Sequence, residues 1–181
     1  RLHWVRVKEV LLIGLPSGVQ GILFSISNVM IQSNINSFGS VVMAGNSASA
    51  NIEGFVYTSM YAFSQTAVSF VGQNFGAGKR ERIRRSIWMY VAMVTVVGLA
   101  MGIFLQFTSH FFLGIYTTEE DVIAIGMERL SVVCTTYFLC GIMDTLVGSL
   151  RGLGYAIVPM FISILGICGL RILWMATVCV W

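Results

Sequence analysis

Three ionisable side chains stand in sequence too apolar to keep them wet: Glu53, Asp144 and Arg171. Charged groups at membrane depth are rare, usually face a bundle interior and mark ion or substrate pathways. A carboxylate in such a place can carry a proton. With amide and carbonyl oxygens it can instead hold a sodium ion, for which Asn28, Gln32 and Asn51 are the nearest candidates. Tyr57 follows Glu53 by one helical turn, and Ser64 falls further along the same side. Glu53 lies roughly ten residues, or about 15 Å, inside its helix, near the middle of a 30 Å hydrocarbon core. The alternative to an ion or substrate role is a salt bridge with Arg171 or with a base outside this chain. Asp144 precedes Arg151 by seven residues and reads either as a second functional acid or as a group paired near the interface. Arg171 is expected to neutralise a carboxylate rather than to touch substrate.

A second polar feature is the stripe Ser25, Asn28, Gln32 and Asn36, which repeats at helical spacing. Amides facing lipid are costly, so this stripe should face another helix or a wet cavity. Nothing in the chain reads as an enzyme or as a firm metal site. His3 and His110 lack acid partners, and GQNFGAGK lacks the full phosphate-loop spacing and a preceding strand.

The elements that must position these groups follow from composition. Of 181 residues, 56% are hydrophobic and only 10% charged, with a mean hydropathy of +0.82. A water-soluble chain is about a quarter charged, so this one belongs in a bilayer as an all-α, polytopic helix bundle. Residues 1–10 suit a short interfacial helix. Spans are expected over about 11–38, 43–72, 86–108, 122–149 and 156–181, with Pro16 and Pro159 in first turns. Small residues at 44–50 invite close helix packing. Thr118 is expected to cap the fourth span, with Glu119, Glu120 and Asp121 at its positive end. Glu128 and Arg129 should stay near the surface, solvated or snorkelling.

Five of the basic residues cluster at Lys79, Arg80, Arg82, Arg84 and Arg85, after the glycine turn at 72–78. Beside a membrane helix this marks the cytoplasmic side rather than a nucleic-acid surface. Residues 1–10, 73–85 and 150–155 are therefore expected in the cytoplasm, and 109–121 outside. The four cysteines, Cys134, Cys140, Cys168 and Cys179, sit in apolar helix sequence as small packing groups, not disulfides. The chain starts at Arg1 and stops inside an apolar run, which reads as a piece of a longer protein.

Four stretches carry a family resemblance: GLPSGVQGILFSISNVMIQSNINSFG, ANIEGF, FVGQNFGAGKRERIRRS and GSLRGLGYAIVPM. Together they resemble the C-terminal half of the multidrug and toxic compound extrusion (MATE) transporters, across nearly all of 1–181. The resemblance implies twelve helices in two bundles, of which this chain holds five, with the N-terminal half missing. It also implies a secondary antiporter that expels drugs or organic cations across the cytoplasmic membrane. A sodium or proton gradient would drive it, with no cofactor beyond the coupling ion. Glu53 falls where some relatives place an acid. Asp144 lies about one turn nearer the LRG turn than the family's aspartate. Competing readings are export or flipping of a lipid-linked or anionic substrate on the same broad fold, and a non-transporting scaffold. Two deep acids against one deep base tilt the choice toward cations.

Overall fold

The computed structural model describes residues 3–169 together with 173 and 177, apart from the side chains of 5, 6, 167 and 168. Arg171 and Cys179 lie outside the described residues. The elements are α1 (Trp4–Asn36), α2 (Ser40–Gly76), α3 (Arg80–Tyr116), α4 (Glu120–Gly152) and α5 (Ile157–Ser163), which passes into a π-helical stretch at Ile164–Gly169. The described residues contain no strand. α1, α3 and α4 are long and apolar enough to cross a membrane. α2 is as long as α3, at 37 residues, but its serines, asparagines and Glu53 lower its hydropathy.

The helices outrun the sequence expectation. At 1.5 Å per residue, 37 residues reach about 55 Å, well past a 30 Å hydrocarbon core. α1 starts at Trp4 and continues through Pro16, because nothing between them breaks a helix. Residues 4–10 are thus continuous with the first span, and Pro16 lies in the helix interior. Turn chemistry sets the far ends. Gly78 (φ +69°) and Gly154 (φ +91°) adopt left-handed conformations just past α2 and α4, where a Cβ would be strained. At the start of α4 the N-cap is Glu119. The turn oxygen comes from Thr117, whose Oγ1 accepts from Glu119 N at 3.2 Å, not from Thr118 as expected.

α2, α3 and α4 form the tightly packed core, with α1 and α5 against it more loosely. Contacts along α2 and α4 run in step: Gly45 meets Val122, Ser64 meets Gly148, and Gly72 meets Gly152. These two helices are therefore parallel. α3 runs against both, with Gly98 on Phe138 and Gly102 on Cys134. This places the basic cluster and Arg151 at one end of the bundle and the acidic residues 119–121 at the other. Val56, Leu113, Leu130 and Cys134 anchor the apolar core.

Candidate functional site

The seam between α2 and α4 gathers the deepest polar groups. α2 offers Asn46, Ser49 and Glu53 on one face, at the helical spacing of three and four. α4 offers Arg129 and Tyr137, eight residues apart on one stripe. Parallel packing brings these faces level. Arg129 Nη2 donates to Glu53 Oε2 at 2.6 Å. Its Nη1 donates to the Asn46 carbonyl at 2.8 Å and to Ser49 Oγ at 3.0 Å. Tyr137 donates its hydroxyl to Glu53 Oε1 at 2.7 Å.

Both carboxylate oxygens of Glu53 are thus occupied, and the guanidinium is fixed by α2 even apart from Glu53. The side chains keep partial access, 30% for Arg129 and 20% for Glu53. This arrangement corrects one expectation and supplies Glu53 with a partner inside the chain. Arg129 does not remain solvated at the surface; it turns inward. The base facing Glu53 is Arg129, from within the chain, while Arg171 lies outside the described residues. A sodium ion at Glu53 would also have to displace a guanidinium, so these donors do not fit a cation site in this arrangement. Only the inward-facing Glu53 was legible beforehand. The available signal for the rest was Arg129 and Tyr137 on one stripe of an otherwise apolar helix.

The other candidate residues are scattered around this group. Gln32 Oε1 accepts from Asn46 Nδ2 at 3.3 Å, and Gln32 Nε2 donates to Asn36 Oδ1 at 3.0 Å. Part of the amide stripe therefore meets α2, beside the Arg129 anchor. Asn28 and Asn36 are exposed, and Ser25 turns its hydroxyl to the Gly21 carbonyl. Asp144 is half-buried about 22 Å further along α4 than Arg129, at 1.5 Å per residue. It has no hydrogen bond to Glu53. Its backbone carbonyl accepts from Ser64 Oγ at 2.8 Å, and its carboxylate lies within electrostatic reach of Tyr57 and Arg151. Tyr57 is half-exposed and stacks on Tyr61, with centroids 6.1 Å apart. At the basic end, Arg151 Nη2 donates to Gln20 Oε1 at 2.6 Å and ties α4 to α1.

Comparison with known proteins now bears on this geometry. A family model described as MatE matches residues 16–176. Among curated proteins, the chain is 24% identical over 169 residues to a probable multidrug resistance protein, NorM, of Thermotoga maritima. That match covers 93% of this chain and 36% of the relative. It is also 24% identical to the probable multidrug resistance protein YoeA of Bacillus subtilis, over 90% of this chain and 35% of the relative. The chain thus spans about a third of the length of these relatives. Among solved structures it superposes on a MOP superfamily transporter from Pyrococcus furiosus with a TM-score of 0.86 at 16% identity. That match covers 92% of this chain and 36% of the other.

Proposed function

The chain belongs to the MatE family, and from that premise we propose that it forms the C-terminal-half bundle of a secondary antiporter. Such a protein exports drugs or organic cations across the cytoplasmic membrane, driven by an ion gradient. The observation that carries the reading is the Glu53–Arg129–Tyr137 network between parallel helices, since intramembrane ionisable groups usually serve transport. The relatives named as multidrug resistance proteins support the cargo class. A second bundle, supplied by the rest of a longer protein, completes the translocation path, as transporters built from repeated halves require. The basic end of the core, 73–85 with 150–155, faces the cytoplasm together with 1–10, and 109–121 faces outward.

We take the proton as the ion acting at Glu53. A sodium ion at Glu53 would need room beside the Arg129 guanidinium, and a proton needs none. Glu53→Gln in the full-length protein then abolishes gradient-driven efflux from proteoliposomes while membrane insertion persists. Unchanged export by that variant sinks the assignment. Efflux that stops on sodium removal at clamped pH would assign the coupling to sodium instead.

One observation favours a second reading. Arg129 offsets Glu53 and Arg151 lies within electrostatic reach of Asp144, so each deep acid faces a base and the tilt toward cations disappears. An anionic or lipid-linked substrate fits that balance as well. Paired uptake assays with a cationic dye and an anionic one separate the two.

A further inference from the structure

Where α2, α3 and α4 meet at the basic end, a cavity of about 460 Å³ opens between them. Gly72 and Gly152 bring α2 and α4 together just inside it. Beyond that contact α2 and α4 end, and the first turns of α3 complete the wall. The lining is Phe75, Arg80, Ile83, Arg84, Ile87, Trp88 and Leu153, so five of the seven side chains are apolar. On α3 they fall into two helical rows, Arg80–Arg84–Trp88 and Ile83–Ile87, each at a spacing of four. Ile83 is buried as the floor, whereas Trp88 is 69% exposed and Phe75 53%. Arg80 and Arg84 are exposed and enter no ion pair among the described residues. Glu81, between them in sequence, does not line the cavity.

We propose that this cavity is a binding site for an anionic phospholipid, with the headgroup phosphate on Arg80 and Arg84 and an acyl chain along Ile83, Ile87 and Trp88. The chemistry selects this ligand over its neighbours. Guanidinium forks recognise phosphate in charge-assisted pairs, and basic pockets between membrane helices on the cytoplasmic side hold acidic headgroups. A free phosphate would satisfy the arginines but leave five apolar side chains facing water. A zwitterionic lipid would cover the apolar wall but bring a cationic group toward two arginines. Tryptophan beside the charged row fits the headgroup level, where its amphipathic ring is favoured. This site is separate from the Glu53 network and does not depend on the transported substrate.

Native mass spectrometry of the full-length protein, with phosphatidylglycerol or phosphatidylcholine in the micelle, tests it. Wild type should retain phosphatidylglycerol at least fivefold more than phosphatidylcholine, and millimolar inorganic phosphate should not displace it. Arg80→Gln with Arg84→Gln should remove that preference. Arg82→Gln with Arg85→Gln, an equal loss of charge outside the cavity, should keep it. Trp88→Ala should lower retention of the lipid without changing charge. Equal loss in both arginine pairs would mean only a diffuse basic surface and overturn the site. Displacement by inorganic phosphate, or retention unchanged in the Arg80/Arg84 variant, overturns it as well.

Discussion

α4 meets α2 along a seam that adds charges and hydroxyls to its glycine contacts, and meets α3 along a seam of glycines and apolar side chains alone, although both partners are 37 residues long. On the α2 side, Arg129, Tyr137 and the Asp144 carbonyl bond to Asn46, Ser49, Glu53 and Ser64. On the α3 side, Gly98 and Gly102 let the backbones of Phe138 and Cys134 come close, and Gly141 receives Val94. Lipid tails are as apolar as leucine, so neither seam gains from a hydrophobic drive. One is held by hydrogen bonds and an ion pair on top of its glycine contacts, the other by close van der Waals contact alone. The polar seam holds the ion pair on which the proposed transport role rests. The α3 seam carries no ion pair among the described residues, and close packing keeps it as a fixed frame.

The largest break in this contrast should come from Arg129→Leu. It strands Glu53 and should destabilise the full-length protein by about 3–5 kcal/mol, read as thermal unfolding in detergent. Adding Glu53→Leu should recover much of that loss; a double variant as unstable as the single one would dissolve the pair. Tyr137→Phe removes one hydrogen bond to a charged group and should cost about 1.5–3 kcal/mol, with Arg129 still in place. On the other seam, a Cβ at Gly102 would lie 2.6 Å from the Cys134 carbonyl oxygen. Gly102→Ala should therefore cost about 1–3 kcal/mol by overpacking. Gly114→Ala on the same helix meets nothing within 4 Å and should cost nothing; equal melting of the two variants would remove the frame role. Apart from the Gly114 control, the smallest effect is expected from Ser64→Ala, about 0.6 kcal/mol for an interhelical hydrogen bond in a membrane.

Much of the frame is legible in the sequence alone. Hydropathy and turn glycines located the long helices, since a span is a local property of about 20 residues. Glu53 stood out because its neighbours are apolar. Arg129 was misread for the same kind of reason. Seen only along α4, it lies nine residues after Glu120 and looks able to reach a surface. Its partners are 76 to 83 residues away in sequence. Asp144 was legible as an acid in apolar sequence, but the helix depth that separates it from Glu53 depends on how α2 and α4 align. Pro16, read as a first-turn residue, proved interior because α1 starts earlier than hydropathy alone requires.

The sequence by itself determined that this chain is a set of membrane helices, where they turn, and which end of the core carries the basic residues. These depend on side-chain polarity summed over short windows and on glycines at left-handed positions. Only the tertiary structure decided that α2 and α4 run parallel in a register that sets Glu53 between Arg129 and Tyr137. Rotation and offset between two helices are fixed by close packing at Gly45, Gly148 and Gly152. No local window contains that information, because the groups that choose each other belong to different windows.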